Sequence, residues 1–323
     1  MKILGTGIGQ ASEVVTHHML DARLKKQAGY TLEKSGIAER RFSAPNELQS
    51  DLGAKAVCHA IANARIDINT IDLLISACGV QEQALPSTAT HIAQKLSLNE
   101  GTPAFDVSAS CLSFIVALNV ANGLLLSGTY KRIAIVSADQ PSCGLDWDEP
   151  ESSLIFGDGA AAVIVELGRG KQCIKAYQFS TFTQGIKYCE IRAGGTKHNP
   201  NTTLVEKDFL FHMQGKKLLK LALEKMPAFL DNLYAKFAVP ANSIDLVIPH
   251  QASHLGMAHM VKKLGFDAKK VVNIYHTHGN QVAASLPTAL HEAFSSKRLK
   301  VGDRALLIGT GAGMSIGALV LDI

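Results

Sequence analysis

The chain carries one pattern twice, and that repetition constrains its fold more than any other feature. Residues 69–75 read NTIDLLI and residues 242–248 read NSIDLVI, an offset of 173. Downstream, KRIAIV at 131–136 and DRALLI at 303–308 lie 172 apart, so the spacing persists along both copies. In each copy a short β-branched strand leads to a helical stretch (87–98; 255–264), a second strand (104–107; 271–275), a long helix and a third strand. That is βαβαβ written twice. Apolar strand runs alternating with helices predict an α/β architecture of parallel-type sheets covered by helices on both faces. At 323 residues the chain has the length of two folded units, expected at 1–168 and 169–323.

Composition narrows the function classes. With 47% hydrophobic and 19% charged residues, disorder and low complexity are poor fits. A net charge of +4 is too small to argue for nucleic-acid binding. Six cysteines without a CxxC or CxxH pair argue against a zinc site and suit a reduced, intracellular chain; no metal or other cofactor is expected. The N-terminal MKILGTGIGQ reads as a first strand rather than a signal peptide. The longest apolar segment, 111–126, contains Ser113, Asn119 and Asn122 and reads as a buried helix, not a membrane span.

In open α/β units, ligands gather beyond the carboxyl ends of strands, near helix N-termini. Cys111 lies there in copy one, where DVSAS gives way to an apolar helix. The helix dipole and free N–H groups at such a place are expected to lower its pKa and make it a nucleophile. Shifted by 172 or 173, it falls on Ala283 or Ala284, beside Asn280 in the second copy. His250 ends the strand LVIPH, and Asn280 sits at the tip of the HTHGN turn, which Gly279 permits. A Cys/His/Asn set at strand-to-helix junctions suits acyl transfer through a thioester. The glycine-rich GTGAG from Gly309 can present backbone N–H groups as an oxyanion hole, and without the GxxxxGK[ST] lysine it does not read as a nucleotide loop. FGDGAAA at 156–162 reads as a structural turn, and the other five cysteines read as small hydrophobes.

These residues resemble the β-ketoacyl-acyl carrier protein synthases III, within the thiolase-like superfamily. The matching pieces run nearly end to end: GIAERRF (36–42), ALPSTA (84–89), FDVSASC (105–111), FGDGAAA (156–162), VIPHQAS (247–253), HGNQVAASLP (278–287) and the terminal GTGAG. The resemblance implies a thiolase-like fold, with two βαβαβ halves in an αβαβα arrangement. It implies that Cys111 is acylated, that backbone N–H groups of Cys111 and Ala312 form the oxyanion hole, and that His250 and Asn280 hold the thioester carbonyl of a malonyl unit. Decarboxylation would give an enolate that attacks the acyl-enzyme, and a neutral His250 donating through Nε2 suits that role. A homodimer and an acyl carrier protein partner, with coenzyme A thioesters as the other donor, are implied as well.

Departures from the family pattern bear on substrate. Tyr30 stands where the family stacks an adenine on tryptophan, and Lys34 and Pro150 replace arginines, which puts coenzyme A in question; Leu255 replaces a carrier-docking arginine. Lys216, Lys217, Lys220, Lys262 and Lys263 are candidates for a carrier-protein patch, with a solvated helix face as the plainer reading. Leu85 replaces a phenylalanine that closes the neighbouring subunit's acyl pocket, so an acyl donor longer than acetyl is expected. Ser113 stands where glycine is common, and such changes suggest specialised metabolism. Rival readings are acyl transfer to an oxygen, nitrogen or other carbon nucleophile without decarboxylation, and a non-catalytic partner subunit. A degradative thiolase fits poorly, because 309–317 contain no second cysteine.

Overall fold

The computed structural model describes all residues except 169, 171, 200, 203 and 204. The first half runs β1 (Lys2–Gln10), β2 (Glu13–Thr16), α1 (His17–Arg23), α2 (Tyr30–Ser35), β3 (Glu39–Phe42), α3 (Gln49–Ala64), β4 (Leu73–Ser76), α4 (Thr88–Leu96), β5 (Ala104–Asp106), α5 (Ser113–Leu126), β6 (Arg132–Asp139), α6 (Pro150–Ser153) and β7 (Gly159–Glu166). The second runs β8 (Cys173–Thr181), β9 (Cys189–Glu190), β10 (His212–Met213), α7 (Gly215–Phe237), β11 (Leu246–Pro249), α8 (His254–Leu264), α9 (Tyr275–His278), α10 (Ser285–Ser295), β12 (Arg304–Gly311) and β13 (Ser315–Asp322).

The two main sheets have the same plan. One is ordered β1-β7-β6-β4-β5 and the other β8-β13-β12-β11, extended by a single bridge from Val247 to Val271. The expected parallel-type sheets are half right: β4 is parallel to β5 and β6, and β11 to β12, but β1, β7 and β6, like β8, β13 and β12, pair antiparallel. β13 follows β12 through a short connection, which permits only antiparallel pairing, whereas β7 returns antiparallel to β6 after a longer excursion through α6. The strand expected at 271–275 is reduced to that one bridge, and Tyr275–His278 is a short helix instead.

Alternation along each strand explains the continuous apolar runs. Leu73, Ile75, Ile133 and Ile135 face one core while Leu74, Ala134 and Val136 face another. In the second sheet Leu246 and Ile248 face the shared core, and Val247 the opposite side. That shared core encloses α5 and α10 between the sheets; α3 and α4 cover one outer face and α7 and α8 the other. Five layers result, αβαβα. Gly5, Gly7 and Gly9 of β1 let α3 lie against the strand, since a Cβ at Gly7 would stand 2.2 Å from the backbone nitrogen of Ala60.

Candidate active site

In each half the chain leaves the sheet through a 3-10 turn before entering the buried central helix: Ser110–Leu112 before α5, and Val282–Ala284 before α10. Cys111 is the middle residue of the first turn and Ala283 of the second, and the turns touch. Ser113 pins the first turn. Its hydroxyl accepts from Ala109 N (2.8 Å) and lies 2.9 and 2.7 Å from the carbonyls of Cys78 and Ser110.

His250 follows β11, is 5% exposed and anchors its backbone N–H on Ile308 O at 2.8 Å. It packs on Gly309, where a Cβ would stand 2.6 Å from the histidine Cβ. Burial pushes the imidazole pKa down to about 4, so the ring is neutral near pH 7; its Nδ1 is buried without a hydrogen-bond partner among the described residues. Asn280 is equally buried. Its Oδ1 accepts from Val282 N (2.8 Å) and its Nδ2 donates to Ala252 O (3.1 Å), which orients the amide and leaves one Nδ2 proton free.

Cys111, His250, Asn280 and Ala312 line one cavity of about 1040 Å³. The expected lowering of the Cys111 pKa is corrected: burial pushes the thiol up to about 11, and the charge of Asp139 adds to that. The Ser110 hydroxyl and the backbone N–H groups of Ala312 and Cys111 oppose the rise without cancelling it. The helix dipole loses because Cys111 sits inside the preceding turn, half-buried, rather than on the first free N–H groups of α5.

The residues expected at the entrance, Tyr30 and Lys34, line the mouth of this cavity, as do Lys216, Pro150 and Leu255. Lys216, Lys217 and Lys220 are exposed on α7, and Lys262 and Lys263 on α8. Leu85 lies apart, 84% exposed on the β4–α4 loop, outside the lining of its own chain's cavity. Cys78 and Cys189 are buried as expected, but Cys58 is exposed on α3 and Cys143 is exposed where it lines the cavity, which Cys189 lines as well.

Two features lie outside what the sequence predicts. Asp139, at the end of β6, is 2% exposed and lines the cavity. Its Oδ1 accepts from Gly79 N (2.8 Å) and Val80 N (3.3 Å), and its Oδ2 from Ala284 N (3.2 Å), tying one half to the other. Burial pushes its pKa up to about 8 against those N–H groups. An acid closing the mostly apolar strand RIAIVSAD is its available signal. The second is the FGDG turn, which does more than connect: Gly157 N donates to Asn280 O (3.1 Å), and Ile155 O accepts from Asn280 N (2.8 Å).

A doubled mixed sheet enclosing two central helices, with a cysteine turn opposite a histidine and an asparagine, defines an acyltransferase of the thiolase-like class. Family models described as 3-oxoacyl-[acyl-carrier-protein] synthase III and its C-terminal part match residues 105–185 and 235–323. The chain is 33% identical to the β-ketoacyl-[acyl-carrier-protein] synthase III of Neisseria gonorrhoeae, over 99% of this chain and 98% of that one. The crystal structure of 3-oxoacyl-[acyl-carrier-protein] synthase III from Aquifex aeolicus superposes with a TM-score of 0.89 at 30% identity, covering 100% of this chain and 99% of the other. OleA of Xanthomonas campestris, at 23% identity and TM-score 0.86 over 99% and 98% of the two chains, shares the fold. The chain belongs to the 3-oxoacyl-[acyl-carrier-protein] synthase III family of condensing acyltransferases. Among the described residues no helix is long and apolar enough to cross a membrane.

Proposed function

We propose that this chain catalyses a decarboxylative Claisen condensation, with the half 1–168 supplying the nucleophile Cys111 and the half 169–323 supplying His250, Asn280 and the Ala312 N–H. The observation that carries this reading is that all four open onto one cavity. Cys111 attacks an acyl thioester carbonyl; backbone N–H groups of Cys111 and Ala312 hold the oxyanion, and the donor thiol departs with a proton. A malonyl thioester then enters. The Nε2–H of a neutral His250 and the free Nδ2–H of Asn280 donate to its thioester carbonyl oxygen. Carbon dioxide leaves, the enolate is stabilised by those two donors, and its carbon attacks the Cys111 thioester, releasing a β-ketoacyl product and the Cys111 thiolate, which takes a proton from solvent. One well-placed oxyanion donor contributes about 3 kcal/mol of transition-state stabilisation.

The acyl donor is proposed to be longer than acetyl. Phe211, Leu219, Leu223, Met226 and Met260 give the cavity an apolar wall that suits a chain, and Met side chains fill irregular space adaptably. Leu85, exposed on its own chain, is proposed to reach the cavity of a second copy in a homodimer. The donor is proposed to arrive on an acidic carrier protein that meets the α7 and α8 lysines, or as a coenzyme A thioester past Tyr30 and Lys34. The Ser113 and Leu85 departures favour a specialised pathway over housekeeping initiation.

Incubating the protein with acyl thioesters of graded length and reading intact mass tests the first step; acetyl as the preferred adduct would overturn the chain-length reading. Carbon dioxide release from a malonyl thioester, dependent on prior acylation, tests the second. Product formation without that release would favour transfer to another nucleophile.

A further inference from the structure

Arg40, on β3, is the largest side chain with no exposed surface. It pairs across the sheet with Val15, a member of the apolar cluster that includes Ile37, Phe156 and Tyr275, and its side-chain partners among the described residues are carbonyls, not carboxylates. Its Nη1 donates to Leu154 O (2.5 Å) and Phe156 O (3.2 Å), while Nε and Nη2 are sealed without partners. Burial lowers its pKa to about 10, with Tyr275 the ionisable group facing it, so it is a cation near pH 7. An unpaired buried guanidinium with two idle nitrogens is costly and calls for a reason.

The reason lies in what those two carbonyls belong to. Leu154 and Phe156 alternate with Ile155 and Gly157, the residues that hold the backbone of Asn280 on both sides. Ile155 O also takes the Tyr275 hydroxyl at 3.4 Å. The segments approach so closely that a Cβ at Gly157 would stand 2.1 Å from His278 O and 3.2 Å from the Arg40 Cβ. The cation therefore gathers the carbonyls on one side of the turn 154–157, and Asn280 rests on the other. Arg40 itself does not line the cavity.

We infer that Arg40 is a positioning residue for the condensation half-reaction: by fixing the turn 154–157 it aims the Asn280 carboxamide at the thioester carbonyl, without touching substrate. This rests on the role proposed above for Asn280. Acylation of Cys111 uses other donors and does not depend on it.

The test compares Arg40→Met, which keeps the bulk without donors, and Arg40→Lys, which keeps a charged donor, with the wild type. In the methionine variant the rate of Cys111 acylation, read by intact mass, stays within about twofold. Condensation kcat falls about tenfold or more with little change in KM for the malonyl thioester, as sub-ångström misplacement of a donor predicts. Arg40→Lys recovers part of that loss. The side-chain amide resonances of Asn280, assigned with Asn280→Asp, shift in Arg40→Met in the resting protein. Unshifted resonances with unchanged condensation overturn the inference, and so does an equal loss in both half-reactions, which marks a general scaffold role. If Arg40→Met does not fold, the same readings on Arg40→Lys decide. A wild type that acylates Cys111 but releases no carbon dioxide defeats the condensing reaction, while the amide resonances still decide the case of Arg40.

Discussion

Ser110 and Val282 occupy equivalent places in the two copies, and both hold left-handed backbone, with φ of 56° and 52°. For the β-branched Val282 this conformation is strained. Each residue throws the next one, Cys111 or Ala283, into the contact between the two turns, and only the first copy has a nucleophile there. Val282 in turn packs toward Gly79, where a Cβ would stand 2.3 Å from its Cγ1.

Asp139 adds to the burial that makes Cys111 hard to ionise. Where its carboxyl is ionised, above a pKa of about 8, its negative charge adds to the burial that raises the thiol pKa, so Asp139→Asn makes alkylation by iodoacetamide faster between about pH 8 and 11 and leaves it nearly unchanged at lower pH. Rate against pH, wild type beside variant, gives the answer; superimposable profiles would exclude the coupling. The carboxamide cannot accept from Gly79, Val80 and Ala284 at once, so denaturant unfolding should also show a loss of about 1–3 kcal/mol.

His250 ties stability to acid. Its folded pKa of about 4 lies below the ordinary 6.5, so between those values the unfolded chain binds the proton more readily. The contribution is fully present above pH 6.5, shrinks as pH falls through that window and levels off below pH 4; the limb amounts to roughly 3 kcal/mol. His250→Asn removes it. Denaturant midpoints at pH 7 and pH 4.5 should converge in the variant more than in the wild type, and parallel losses would refute this origin.

Gly309 sets the position of that imidazole. Gly309→Ala places a methyl 2.6 Å from the His250 Cβ and 3.1 Å from the Leu112 side chain, so the histidine shifts. Condensation is expected to drop about tenfold or more while Cys111 acylation persists, because misplacement of a donor harms only the step that uses it. Separate assays of the two half-reactions check this; equal rates to wild type in both would show that the histidine tolerates the displacement.

Periodicity exposes much of this fold because the strands are buried on both faces. LLIS is apolar at all but one position and LVIP at every position, and the constant spacing between the two copies locates β4, β6, β11 and β12. The edge at Val271 departs from expectation, since a single bridge leaves the same apolar signature as a strand. The antiparallel return of β7 after the 140–158 excursion, and of β13 after its short turn, is not disclosed by strand composition. At the site, Cys111, His250 and Asn280 stand out by residue type and motif. What the residues hide is electrostatic: whether a cysteine before a helix is activated depends on how deeply its sulfur is desolvated and on an aspartate 28 positions further along the chain. Arg40 carries no sign of burial in the charged string ERRF; only its carbonyl partners place it under Asn280.

Bilateral tethering by Asp139 has a mechanical corollary. Because one carboxyl group grips backbone from both halves, the two cannot slide past each other without breaking buried hydrogen bonds. The constraint falls on the floor that carries the sulfur, since the lining residues Tyr30, Lys216 and Leu255 have no such tie between the halves among the described residues.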